Sequence, residues 1–374
     1  MEEKYSLLKE GFLPNNICLS LGEEYKGLEE CLSQLPKLLS TRKFKKEIKN
    51  LEPYSGFENL NVEELERAML LYSYLGHAYM WGEDETPNSI PSNISVPWVN
   101  ISQLLDRPPI LSYASYALNN WRANEDDVEV LEPENVEILQ NFLGGIDEDW
   151  FIMIHVAIEH EAKNILGSLK KYFLDEDTEK GNLEDALVSI KEINKIMNRM
   201  PEKCDPYIYY NRVRPYIFGW KNNPATPQGV IYEGVEEYKG KPQLFRGETG
   251  AQSSIVPALD ALLGVTHSND PLREYLDEMR LYMPKDHREL LNNLDEWSEN
   301  NRNNLDIDKD SVMIINDLIG EVHAFRDKHL EYARVYIFEQ SLTNNSNSNI
   351  VGTGGTPFMK YLDKHLQETV PKND

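Results

Sequence analysis

DSVMIINDLIGEVHAFRDKHLEYARVYIFEQS, residues 310–341, sets Ile315, Leu318, Ile319, Val322, Phe325, His329, Ala333 and Tyr336 mostly three or four residues apart. Steps of that size return a side chain to the same side of an α-helix, so the spacing predicts one long amphipathic helix with His329 on its apolar face. The same periodicity recurs over Val62 to Trp81, Val136 to Leu143, Asp149 to Phe173, Leu183 to Met197, Ala251 to Gly264, Pro271 to Tyr282 and His287 to Asn300. Strand signals are few, and no internal repeat is visible. The stretch from Trp81 to Pro109 carries Pro87, Pro91, Pro97, Pro108 and Pro109 and reads as a long ordered loop with one short extended piece. The expected fold class is all-α.

A chain of 374 residues with 40% hydrophobic content can bury one large core and a second, smaller one. Two lobes are expected: a small, mainly helical N-terminal domain over 1–140 and a larger helical-bundle domain over 141–374. Between Asn124 and Asp149, acidic turn residues and Gly144-Gly145 interrupt the apolar pattern. The formal charge of −25 argues against nucleic acid or an anionic membrane as partner. One short basic run, Arg42 to Lys49, is interspersed with Phe44 and Ile48 and reads as a solvated helix face. Cys18, Cys31 and Cys204 lie far apart without C-x-x-C spacing, which suggests neither a disulfide framework nor a zinc cluster. The opening MEEKYSLLKE lacks the apolar region of a signal peptide, and no stretch of roughly 18 uncharged apolar residues occurs. A cytoplasmic protein is expected. The polar run Thr343 to Asn349 has almost nothing to bury and should be mobile.

An imidazole on an apolar face needs a partner. His329 reads either as a core histidine bonded to a backbone carbonyl or as an axial haem ligand, the latter because one neutral imidazole on a buried helix is what pentacoordinate haem iron requires. Arg326, one turn earlier, is either a surface residue or a neutraliser of a haem propionate. A second stripe, Phe151, His155, Ile158, Ala162, Ile165 and Leu169, sets His155 among apolar neighbours. With Glu159 and His160 it spells H-x-x-x-E-H, which matches neither zincin nor inverzincin spacing. Two histidines on separate apolar faces are better explained by a flat prosthetic group between them. Gly352-Thr353-Gly354-Gly355-Thr356 lacks the lysine and the preceding strand of a phosphate loop and reads as a lid or cradle. Ser253-Ser254 has no G-x-S-x-G context, so the residues from Thr249 to Ser253 read as the start of a helix.

Five segments, in order, resemble the indoleamine 2,3-dioxygenase family: RPPILSYASYALNNW (107–121), RVRPYIFGWKNNP (212–224), FRGETGAQSSIVPALDALLGV (245–265), FRDKHLEYARVYI (325–337) and GTGGTPFMKYL (352–362). The resemblance implies a large helical haem domain holding haem b, ferrous for activity, with O2 as co-substrate and an external reductant to activate it. It implies oxidative opening of the indole C2–C3 bond of L-tryptophan, or a related indoleamine, to N-formylkynurenine; a monomer is expected. It puts His329 at the proximal iron ligand, Arg326 near a propionate, and Gly247, Thr249 and Gly250 beside the cofactor. It puts Arg214 at the substrate carboxylate, Tyr113, Phe151 and Tyr209 around the indole, and Thr353 at the substrate ammonium. Three departures stand out: His155 where mammalian members carry serine, Tyr209 in place of phenylalanine, and Glu248-Thr249-Gly250 in place of a smaller glycine-rich stretch. A haem-dependent indole monooxygenase and a haem sensor or carrier without turnover are the alternatives.

Overall fold

The computed structural model describes residues 3–124, 131–175, 177–268, 271–343, 352–355 and 358–370. We number its helices of nine residues or more: α1 (Val62–Trp81), α2 (Ser92–Leu104), α3 (Ile146–Leu174), α4 (Lys180–Asn198), α5 (Ile255–Leu263), α6 (Pro271–Arg280), α7 (Lys285–Asn301), α8 (Lys309–Ala333) and α9 (Phe358–Glu368). Strands among the described residues are limited to four short pieces. β1 (Ser89–Ile90) pairs in parallel with β4 (Ile231–Tyr232), and β2 (Trp121–Ala123) pairs antiparallel with β3 (Val136–Ile138). The chain is all-α.

Local chemistry fixes the helix ends. Asn61 and Glu64 form a reciprocal capping box that starts α1, at 2.9 and 3.0 Å. Asp308 accepts the Asp310 and Ser311 amides at the head of α8. Asp147, Glu148 and Asp149 crowd the first turn of α3, where the helix dipole favours negative charge. Gly264 ends α5 at φ 74°, a conformation that favours glycine.

Three expectations about local structure fail. Val136 to Leu143 forms β3 and a loop, not a helix. The Asn120 amide holds the Gln140 backbone from both sides, accepting from its N–H and donating to its carbonyl at 2.8 Å, and β2 pairs with the start of the stretch, so its backbone bonds are taken by distant partners. The proline-rich stretch contains α2, with Pro97 inside it. Its Trp98 is fully buried against Gly76 of α1, where an added Cβ would meet the indole at 2.0 Å. Tertiary packing of that indole outweighs the hydrogen bond Pro97 removes. The long helix predicted to Ser341 is also segmented: α8 stops at Ala333, a π-turn runs over Arg334–Phe338, and a short helix covers Glu339–Thr343. The run 344–349 lies outside the described residues.

The buried apolar side chains form two main clusters. One surrounds α1 and α2 and takes in Ile217, Trp220, Tyr232, Tyr275 and Met279 from later in the chain. The other lies among α3, α4, α5, α7 and α8 and takes in Tyr5, Leu8 and Phe12 from the start of it. Neither cluster divides at residue 140. Phe151 and Met153 of α3 pack against both, so α3 lies where the two meet.

Candidate active site

Three π-turns, at Ala114–Leu118, Tyr209–Val213 and Arg334–Phe338, surround this meeting point. Such turns shift a helix register by one residue and are frequent at functional sites. Here Tyr113 precedes the first and Tyr209 begins the second. Phe151, on α3, has ring centroids 4.5 Å from His155 and 4.9 Å from Tyr209, and Tyr113 lies 5.9 Å from His155. The fold thus brings four of the predicted pocket residues into one aromatic wall.

His155 Nδ1 lies 2.7 Å from the Phe151 carbonyl. A carbonyl only accepts, so Nδ1 carries the proton and Nε2 presents a lone pair. Burial lowers its pKa, which keeps the ring neutral. His329, on α8, is held down to about 4, first by burial and then by His155. Protein surrounds it closely enough to cause that desolvation, yet its side chain remains exposed. Both observations hold if the imidazole lines an internal space rather than the outer surface. No described residue hydrogen-bonds its ring.

Glu159, one turn beyond His155, was considered from sequence only as part of a metal motif. The structure gives it a different setting: Oε1 accepts from the Tyr113 hydroxyl at 2.9 Å and the Ser253 hydroxyl at 2.8 Å, and burial pushes the carboxyl up to about 7. Gln252 accepts the Tyr113 amide at 2.9 Å and donates to the Gly247 carbonyl at 3.0 Å. No spacing signal could have revealed this bracket, since its members are scattered from 113 to 253.

Arg214 is almost wholly buried, its guanidinium carbon 5.3 Å from the ring centres of Tyr210 and Phe218. Burial pushes the Tyr209 phenol up most, and it feels both Glu248, which raises its pKa, and Arg214, which lowers it. The Glu248 carboxyl is buried, and burial alone pushes it up to about 8.

Gly247 and Gly355 serve close backbone approach. A Cβ on Gly247 would lie 2.3 Å from both the Gly219 nitrogen and the Ile217 oxygen, and one on Gly355, at φ 76°, 2.2 Å from the Lys221 oxygen. Thr353 donates its hydroxyl to the Glu248 carbonyl, and Arg246 and Asn222 donate to the carbonyls of Gly354 and Gly355 at 2.6 and 2.8 Å. The described part of the glycine loop is buried in this seat. Thr249 accepts from the Ala251 amide and so starts a 3₁₀ turn at Gly250–Gln252, ahead of α5.

Arg326 pairs with Asp260 at 2.7 Å and donates to Thr369. Asp260 also accepts from His267, whose other nitrogen bonds Glu368. A propionate approaching Arg326 would therefore meet a charge already offset. Among the described residues, no group of three or more His, Cys, Asp or Glu side chains is arranged to hold a metal ion, and no helix is long and apolar enough to cross a membrane.

A family model described as indoleamine 2,3-dioxygenase matches residues 1–372. The chain is similar to indoleamine 2,3-dioxygenase 1 of Rattus norvegicus, at 33% identity over 90% of this chain and 86% of that protein. It is similar to indoleamine 2,3-dioxygenase of Saccharomyces cerevisiae, at 28% identity over 100% of this chain and 93% of that protein. It is also similar to a myoglobin of Haliotis madaka, at 27% identity over 98% of this chain and 97% of that protein.

Proposed function

The chain belongs to the indoleamine 2,3-dioxygenase family, and from that premise we propose that it opens the indole ring of L-tryptophan with O2 to give N-formylkynurenine. What carries the reading is the pair of neutral imidazoles, His155 and His329, on two helices and near enough for His155 to lower the His329 pKa. The family is haem-dependent, and the residues present suit that group: His329 offers an imidazole that no described residue hydrogen-bonds, as an iron ligand must. When bound and reduced, haem supplies the activation of dioxygen that a protein side chain cannot.

The chain's own residues would bind and orient. Arg214 takes the substrate carboxylate, a role suited to a planar two-pronged donor. Phe151, Tyr113 and Tyr209 enclose the indole, and Thr353 lies by the amino group. His155, protonated on Nδ1, turns an acceptor nitrogen towards the indole N–H and so fixes which ring edge faces the cofactor. Arg326, with its charge met by Asp260, braces α8 one turn before His329. The bracket of Gln252, Tyr113, Glu159 and Ser253 holds the wall. We read the protein as a cytoplasmic monomer that depends on an external reductant.

The test is direct. Haem-loaded, reduced protein is mixed with L-tryptophan under isotopically labelled O2, and the product is examined by mass spectrometry. Both labelled atoms in one product, lost in His329→Ala and strongly reduced in Arg214→Ala, support the reading; one labelled atom favours a monooxygenase. The relative named myoglobin favours a second reading, a haem protein without turnover. A stable oxygenated spectrum with no product on adding tryptophan would select it.

A further inference from the structure

The His267 ring, on a buried side chain, sits between two carboxylates: Nε2 lies 2.9 Å from Asp260 Oδ2, and Nδ1 lies 2.8 Å from Glu368 Oε2. An ionised carboxylate only accepts, and a neutral imidazole has a single N–H to give. Both contacts are therefore hydrogen bonds only when the ring is the doubly protonated imidazolium. The three residues come from different places: Asp260 from α5, His267 from the loop after it, and Glu368 from the last turn of α9. Glu368 also accepts the Ser268 amide and hydroxyl, at 3.2 and 2.7 Å, and Arg326 of α8 donates to the Thr369 hydroxyl. The far end of α9 is thus fastened to α5 and α8 through a ring whose proton count decides whether the fastening is complete.

The near end of α9 is tied to the candidate site. The helix begins at Phe358, just past the buried Gly354 and Gly355. Its Tyr361 has a ring centre 6.0 Å from that of Tyr275, the Arg246 guanidinium carbon lies 5.0 Å from the same Tyr275 ring, and Arg246 donates to the Gly354 carbonyl at 2.6 Å. A Cβ on Gly354 would meet the Tyr275 hydroxyl at 2.9 Å. We propose that His267 is a pH-operated clasp: its imidazolium holds the end of α9 down, and loss of one proton to solvent frees that end and loosens the glycine loop from which the helix starts. On deprotonation one ring nitrogen turns a lone pair towards a carboxylate, so a charge-assisted hydrogen bond is replaced by repulsion. The clasp acts whichever ligand the aromatic wall encloses.

The charges that face the ring fit this role. Burial and the Arg326 guanidinium oppose the imidazolium, but Asp260 and Glu368 outweigh them and raise His267 above 6.5. Against burial, Arg326 and His267 hold Asp260 below its ordinary value, and Ser268 and His267 hold Glu368 down to about 2, so both stay ionised. His365 of α9, its ring centre 4.8 Å from that of His267, is held down to about 4, first by burial and then by His267, and is neutral. The Lys364 ammonium pairs with Glu368 at 3.5 Å. Of the two carboxylates and two imidazoles, His267 is the group that changes charge between about pH 6 and pH 9. A raised histidine stabilises below its unfolded value and loses that contribution as pH rises through the folded value, so the clasp is shut on the acid side and opens on the alkaline side.

Trypsin probes the helix end and amide exchange probes the loop, both on the haem-loaded protein between about pH 6 and pH 9. Cleavage after Lys364, divided by that of a free peptide of residues 358–370 at the same pH, should rise roughly threefold or more over this range. Exchange protection over 352–355, corrected for the intrinsic base-catalysed rate, should fall over the same range. NMR of isotopically labelled histidine should find both His267 nitrogens protonated at about pH 6, with a titration midpoint that coincides with the cleavage midpoint. His267→Asn should be cut quickly at every pH with no rise, and the coincidence of midpoints in wild type keeps the test intact should that variant fold poorly. A neutral His267 ring at about pH 6, scaled cleavage that does not change with pH, or the same rise in His267→Asn overturns the clasp. Cleavage that titrates while 352–355 stays equally protected overturns its hold on the glycine loop.

Discussion

Arg326 and Asp260 form a buried ion pair, Nη2 to Oδ2 at 2.7 Å, that ties α8 to α5 one turn before His329. Removing Arg326 leaves the Asp260 charge inside the protein with His267 as its remaining partner. Arg326→Leu should therefore cost about 3–5 kcal/mol in chemical unfolding, and Arg326→Leu combined with Asp260→Asn should recover a substantial part. A double variant as unstable as the single one would show that packing around the guanidinium, and not the ion pair, holds the helix.

The His155 tautomer makes a sharper demand on substrate. If Nε2 accepts from the indole N–H, methylation of the indole nitrogen removes the donor and fills its place with carbon. Wild type should favour tryptophan over 1-methyltryptophan in kcat/KM by roughly tenfold or more, and His155→Ala should narrow the ratio. An unchanged ratio would remove His155 from substrate contact.

Gly247→Ala tests whether the glycine run serves the backbone. Its Cβ would collide with Gly219 and Ile217 at 2.3 Å, and neither is the end of a flexible side chain. We expect a loss of about 1–3 kcal/mol, with faster amide exchange over 352–355 because the Thr353 seat on Glu248 shifts. Full retention of stability and exchange protection would mean the two segments separate easily.

His267 sits between Asp260, at 2.9 Å, and Glu368, at 2.8 Å, and these carboxylates raise its pKa against the opposing effect of burial. A raised histidine contributes stability that is fully present below its unfolded pKa, near 6.5, and lost as pH rises through the folded value. Glu368, lowered to about 2 by its bonds to Ser268 and His267, contributes stability present above about 4.5 and lost on acidification. The hold of Glu368 on the loop after α5 is therefore strongest between about pH 4.5 and 6.5. Protection against hydrogen exchange over 358–370, corrected for the intrinsic base-catalysed rate, should fall from about pH 6 to about pH 9, and in His267→Asn this dependence should flatten. Equal pH dependence in the variant would locate the titrating group elsewhere.

Much of the wall could be read in advance because helical spacing alone puts Phe151 and His155 on one stripe and His329 on another. The resembling segments were harder to interpret. Arg107, in the first of them, pairs with Glu66; Asn120 clamps Gln140; Arg246 holds Glu278 and the Gly354 carbonyl. These residues fasten loops to one another, so their presence marks the fold more than the chemistry. His77 drew no attention in the sequence, yet it donates to the Tyr216 carbonyl at 2.6 Å, accepts the Leu111 amide at 3.1 Å, and is held down to about 3 by burial as a neutral structural bridge.

The sequence by itself determined the helical class, the extent of α1 to the residue, and the apolar faces carrying His155 and His329, because these follow from steps of three and four residues within one segment. Only the tertiary structure decided that Pro97 lies inside a helix, that Val136–Ile138 pairs as a strand, and that Tyr113 is bracketed by Glu159 and Gln252. It also decided that Arg326 is met by Asp260 while the Glu248 carboxyl is met by no described residue. Each of those outcomes depends on partners tens to more than a hundred residues away, and local spacing carries no information about which distant group will satisfy a buried charge.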